Sequence, residues 1–159
     1  MYEIIVCPIK RLYQNADEGD VSDVAALAVS SYNIDENKLE DFRCTLCLNF
    51  DDIINTTENN AISSIIAKRI AEYIIALPDD LDSLYVCCDS GESRSTAMAA
   101  AIMRYKGLDE MKIWKNPKYH PNPLVYKLLC DALGVNVDDD EVQSKMAINQ
   151  KAFSDAVKK

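Results

Sequence analysis

The sequence predicts an α/β layer fold, in which short strands alternate with helices around one core. Three observations carry this reading. β-Branched and apolar runs recur at residues 2–9, 24–32, 44–50 and 84–87. Helical periodicity or alanine enrichment marks the segments that follow the last two runs. Proline, glycine and capping residues fall at the joints between them.

The first run, residues 2–9, reads as a strand that ends near Pro8. Residues 15–23 are acidic, contain Gly19, and read as a loop or irregular turn. Residues 24–32 carry alanines that favour helix, but Leu27, Val29 and the Ser30-Ser31-Tyr32 end suit a buried strand, which is the expectation adopted. Residues 35–41 make a charged connector, and residues 44–50 a strand running into Asp51-Asp52. Thr56 or Thr57 is the expected cap of the next helix, with Glu58 in its first turn. Ile62, Ile65, Ile66, Ile70, Tyr73, Ile74 and Leu77 then recur at helical spacing, and Pro78 closes the segment.

Residues 84–87 form the next strand, and residues 95–106 a helix whose alanines allow close packing and whose end is marked by Gly107. Residues 115–123 read as a proline-rich loop. Asn122 caps a further helix with Pro123 at its first position, ending at Gly134. The tail begins with four acidic residues from Asp138 and ends on Lys158 and Lys159, a charge order that suits a last helix. The 159 residues are expected to form one domain, 1–159, with 135–159 as a C-terminal helical extension.

Composition narrows the function classes. Seventeen basic against 26 acidic residues leave a formal charge of −9, so neither nucleic acid nor an anionic membrane surface is an expected partner. No apolar run reaches the length of a membrane span, and the first residues lack signal-peptide features, so a cytoplasmic protein is expected. Six cysteines are then read mainly as reduced, partly buried side chains. Cys44 and Cys47 have the spacing of half a zinc site, but strand alternation sends them to opposite faces; the one histidine, His120, is remote, and no metal is expected.

The chemistry concentrates in Cys88-Asp89-Ser90-Gly91-Glu92-Ser93-Arg94-Ser95, between a strand and a helix. A strand–loop–helix turn surrounds one point with backbone N–H groups and the positive end of a helix, a setting for an oxyanion and for a thiolate. Arg94 can grip two phosphoryl oxygens at once, and the N–H groups from Asp89 through Ser90, Gly91, Glu92 and Ser93 to Arg94 can take the rest. Cys88 is the candidate nucleophile, and Gly91 supplies the backbone freedom to wrap an anion. The Ser95 hydroxyl can bond the sulfur and help it leave. A proton donor for the leaving oxygen is expected at a neighbouring strand end, where Asp51 and Asp52 both stand.

Cys88, Gly91, Arg94 and Ser95 resemble the Cys-x-x-Gly-x-x-Arg-Ser/Thr signature of the cysteine-dependent protein tyrosine and dual-specificity phosphatases. The mid-chain position of the loop is similar to the compact dual-specificity group. Residues 48–53 and 122–126 look like further stretches of small microbial members, so the resemblance spans residues 1 to about 134. It implies a central, mostly parallel sheet flanked by helices and places the general acid at Asp52. It also implies a metal- and cofactor-free phosphatase acting on phosphotyrosine or phosphoserine/threonine proteins, or on aryl phosphates. Two residues depart from the pattern. Cys87 stands where the family usually has a histidine, which predicts weaker support for the thiolate and slower turnover. Glu92 stands where an apolar or basic residue is common, and its charge would oppose polyanionic substrates such as phosphoinositides. The competing reading is a catalytically weak module that keeps the anion cradle and binds phosphorylated partners. Sulfur transfer or arsenate reduction on a similar loop is a third reading and fits less well.

Overall fold

The apolar runs form four strands, β1 (Glu3–Pro8), β2 (Val24–Ser30), β3 (Cys44–Asn49) and β4 (Ser83–Cys88). In the computed structural model, which describes residues 1–158, they make one sheet in the order β1-β4-β2-β3. All three pairings are parallel, so the expected α/β layer fold with a central parallel sheet is what the chain adopts. Six α-helices and a 3-10 helix (Glu36–Leu39) complete it among the described residues: α1 (Ile9–Glu18), α2 (Ser64–Ala76), α3 (Arg94–Lys106), α4 (Met111–Trp114), α5 (Pro123–Ala132) and α6 (Asp139–Val157).

Alternation along the strands divides the core between the two faces of the sheet. Leu84 and Val86 of β4 join Ile70, Met98 and Leu129 in the larger cluster, beneath α2, α3 and α5. Cys87 joins Cys7, Ala26, Ala28 and Leu12 in the smaller one, beneath α1. The helices that follow the neighbouring strands β1 and β4 therefore leave on opposite faces. Such a switch opens a crevice at the carboxyl ends of the strands, where Pro8, Ser30, Asn49 and Cys88 lie. Cys44 and Cys47 also separate as alternation requires, one packing on each cluster.

Three expectations need correction. Residues 9–18 are helix, not strand end and loop. Ile9, Leu12, Tyr13 and Ala16 have helical spacing, Ile9 and Leu12 are buried, and the acidic composition of the following residues hides the pattern. Helix α2 starts at Ser64 and is capped by Ser63, whose hydroxyl accepts the Ile66 N–H at 3.2 Å, not by Thr56 or Thr57. Thr57 is held in a turn by Asn55, whose Oδ1 accepts its N–H at 3.1 Å, and Asn60 takes a φ of 67° that stops any helix there. Ile65 is consequently exposed, and Ala67, Ile70, Ala71 and Ile74 form the buried face. The caps at Gly107 and Asn122 occur as expected. At the tail, Asp138 caps α6 and Lys158 closes it, while Lys159 lies outside the described residues.

Helix α6 is tied into the fold by a partly buried ionic cluster. Glu110 accepts from Trp114 Nε1 at 3.0 Å and Tyr126 Oη at 2.5 Å, and pairs with Lys145 Nζ at 3.1 Å. Glu141 pairs with both Lys145 and Arg104. Further along α6, Asn149 Nδ2 donates to the carbonyls of Trp114 at 2.9 Å and Tyr119 at 2.8 Å. These bonds bring the helix against the loop that precedes α5.

Candidate active site

Strand β4 ends on Cys88 and α3 begins at Arg94, so residues 89–93 make the turn between them at the crevice. Gly91 sits at its centre with φ 73°, a conformation that side chains rarely adopt. A Cβ there would also lie 2.7 Å from Pro8 N and 2.8 Å from the Cys7 carbonyl carbon. The turn therefore rests directly on the end of β1, and only glycine permits it.

Cys88 is buried, and its Sγ lies 3.2 Å from Ser95 Oγ in the first turn of α3. Cys87 points to the other face, where its Sγ is 3.1 Å from that of Cys7. Burial, and then the contact with Cys7, push the Cys87 thiol well up. Strand-core packing is thus the role its surroundings show, and its nearest thiol is Cys7.

Arg94 is only 6% exposed. Its Nη1 donates to Phe50 O at 2.7 Å and Ser31 Oγ at 3.0 Å, and its Nη2 to Asp89 Oδ2 at 2.9 Å. Its Nε, also buried, has no partner among the described residues. The amide N–H groups of Ser90, Gly91, Glu92, Ser93 and Arg94 likewise find no acceptor among the described residues. The turn thus gathers a cation and several open donors, the elements of an anion cradle.

Asp89, the residue after the cysteine, aligns this arginine. Its carboxylate also accepts from Ser30 Oγ and the Ser31 N–H. Partial burial works against the charge, but the hydrogen bonds from Ser30, Ser31 and Arg94 outweigh it and hold the Asp89 carboxyl below its ordinary range. Asp89 is therefore a side-chain brace, a role beyond the backbone contact expected from the sequence. Ser30, Ser31 and the Phe50 carbonyl were not foreseen as parts of the site. Their only sequence signal is position, at the ends of β2 and β3.

Of the two candidate acids, Asp52 is the one joined to the turn. Its Oδ1 accepts from Ser93 Oγ and from Asn122 Nδ2, each at 2.8 Å. Asp51 instead lines a separate hollow beside Ser30, Ser31 and Asn60. Asn122 does more than cap α5: its Oδ1 accepts the Leu124 and Val125 N–H groups while its Nδ2 bonds Asp52. Ser90 and Glu92 are exposed. The Glu92 carbonyl accepts the His120 N–H at 2.9 Å, which fastens the turn to the loop before α5.

No family model matches the chain, and no curated protein matches it. Among solved structures it is similar to the Yvh1 phosphatase domain from Chaetomium thermophilum. That likeness has 15% identity and a TM-score of 0.49, covering 98% of this chain and 95% of that one. It is also similar to PTPMT1 in complex with PI(5)P, with 10% identity and a TM-score of 0.47 over 97% of this chain and 94% of that one. A second PTPMT1 structure gives 11% identity and a TM-score of 0.45, with coverages of 99% and 96%. At such low identity and structural similarity, the chemistry has to be read from the turn itself. No helix among the described residues is long and apolar enough to cross a membrane.

Proposed function

We propose that this chain is a phosphatase that hydrolyses phosphate monoesters through a cysteinyl-phosphate intermediate, without a metal or cofactor. The observation that carries the reading is the buried, unpartnered Nε of Arg94 beside a turn of open N–H donors. A buried guanidinium donor left unpaired costs about 1–3 kcal/mol or more, a cost that a bound anion removes. A phosphoryl group presents acceptors of the right charge and geometry.

In the first step the Cys88 thiolate attacks phosphorus. An S–P bond forms, the ester P–O bond breaks, and Asp52 gives its proton to the leaving oxygen. In the second step Asp52 takes a proton from water, whose oxygen attacks phosphorus. The S–P bond breaks, inorganic phosphate leaves, and the thiolate is restored with Ser95 Oγ as its hydrogen-bond partner. Arg94 and the turn N–H groups stabilise the equatorial oxygens through both steps. The substrates are phosphorylated proteins, carrying phosphotyrosine or phosphoserine/threonine, and simple aryl phosphates. Glu92, exposed on the turn, adds a charge that disfavours more anionic ligands.

Hydrolysis of an aryl phosphate by wild type, Cys88→Ser and Asp52→Ala tests the reading. Cys88→Ser abolishes turnover, and Asp52→Ala lowers kcat by about a hundredfold. Activity that survives Cys88→Ser overturns the proposal. An inactive wild type that binds phosphate tightly instead identifies a phosphate-binding module.

A further inference from the structure

Beside the turn, on the side of Asp52, lies a hollow of about 290 Å³ that hydrolysis of a small phosphate ester does not require. Asp52 and Ser93, themselves joined by a 2.8 Å hydrogen bond, form the wall it shares with the cradle. Ile54 and Pro121 add apolar surface, and Met146, Asn149 and Gln150 of α6 close the far side. His120, whose ring packs edge-on against Phe153 of α6 at 5.4 Å between centroids, belongs to the same rim.

The lining selects its occupant. It contains no lysine or arginine, and its one formal negative charge is Asp52. A second phosphate on the ligand would enter a hollow without a cation, next to a carboxylate and near the exposed Glu92. An uncharged apolar side chain would instead meet Ile54, Pro121 and Met146. Asn149 is only 7% exposed, and its Nδ2 is spent on the Trp114, Asn116 and Tyr119 carbonyls. Its Oδ1 accepts no hydrogen bond among the described residues, which leaves an acceptor in the hollow suited to a peptide N–H.

We infer that this hollow is a specificity subsite that takes the apolar residue flanking the phosphorylated residue of a protein substrate, with α6 as its outer wall. The inference rests on the phosphatase reading for the position of the phosphoryl group, and it narrows the substrate to phosphoproteins over phosphoinositides. It also gives α6 a role in selectivity, although that helix lies outside the stretch that resembles the phosphatase family.

The test compares two phosphotyrosine peptides, identical but for leucine or aspartate next to the phosphotyrosine, with wild type, Met146→Trp and Gln150→Trp. Wild type favours the leucine peptide by about tenfold in kcat/KM, as expected for one partly buried apolar side chain. Either tryptophan fills the hollow and brings the ratio close to one; Gln150 is exposed, so its variant keeps the fold if Met146→Trp does not. Binding of the same peptides to Cys88→Ser protein provides a readout without turnover. Tighter binding of the leucine peptide there, lost with Gln150→Trp, supports the subsite even if wild type hydrolyses nothing. Equal treatment of the two peptides in both assays overturns the subsite while leaving aryl phosphate hydrolysis to judge the phosphatase reading. Preferential binding of a soluble phosphoinositide over the leucine peptide overturns it as well.

Discussion

Arg94 and Lys145 are both cations withdrawn from water, 6% and 8% exposed, yet their surroundings differ in one respect. Lys145 reaches Glu110, Glu141 and the Tyr126 hydroxyl, and no polar side-chain atom of that cluster is both buried and unpartnered among the described residues. Arg94 has partners for both terminal nitrogens, but its Nε has none. A closed network suits a structural tie, because each charge it buries is compensated within the fold. An open one keeps a donor for something that arrives later. A buried cation thus fastens a helix in one place, while in the other it keeps an open donor, the feature on which the proposed anion site rests.

Mutations can break this contrast, beginning with its largest consequence. Arg94→Lys removes Nε and the fork, and is expected to lower kcat/KM on an aryl phosphate by about a thousandfold with little change in melting temperature. Retention of activity within tenfold would show that the open Nε is not reserved for substrate. Lys145→Met should do the reverse. It leaves Glu110 short of its main counter-charge and costs about 3 kcal/mol in urea unfolding, while the folded fraction keeps its turnover of a small aryl phosphate. A stability loss below about 1 kcal/mol would mean the cluster is no tie.

Asp89→Asn tests the brace between the two kinds of chemistry. Loss of one charge-assisted bond to Arg94 is expected to raise KM by about tenfold, read in steady-state kinetics with an aryl phosphate. An unchanged KM would place the alignment of Arg94 with Ser31 and Phe50 alone. The smallest effect is one of pH. The hydrogen bond from Lys145 foremost, opposed by burial and helped by Arg104, holds the Glu141 carboxyl below its ordinary range. The unfolded chain therefore takes up this proton first, so its stabilising contribution is present above the ordinary carboxylate range and fades as pH falls through the lowered folded value. The urea midpoint should drop as the pH falls through and below the ordinary carboxylate range, and drop less in Glu141→Gln.

Legibility in the sequence followed the range of the interactions. The four strands, the cysteine–arginine turn, α3 with its Gly107 cap and α5 with its Asn122–Pro123 start depend on neighbours in the chain, and all were readable. Helix α1 was readable in principle from Ile9, Leu12, Tyr13 and Ala16, but the acidic run after it outweighed four residues of pattern. The start of α2 was misplaced despite local signals: the Asn55 side chain holds Thr57 in a two-residue turn and Asn60 takes a left-handed backbone conformation, but the Thr56-Thr57-Glu58 cap pattern outweighed them.

By itself, then, the sequence determined the α/β class and the turn that carries Cys88, Gly91 and Arg94, since alternation, capping and glycine freedom act within a few residues. The resemblance already pointed to Asp52 over Asp51. Only the tertiary structure supplied its contacts, the hydrogen bonds from Ser93 and Asn122 that join it to the turn and to the start of α5. It likewise enlisted Ser30, Ser31 and the Phe50 carbonyl to brace Arg94, from strand ends that parallel pairing brings to one edge. The placement of α6 beside that edge depends on a charge cluster assembled from α3, α4, α5 and α6. Such long-range pairings leave no periodic trace in the chain, because each depends on where the sheet brings its distant segments together.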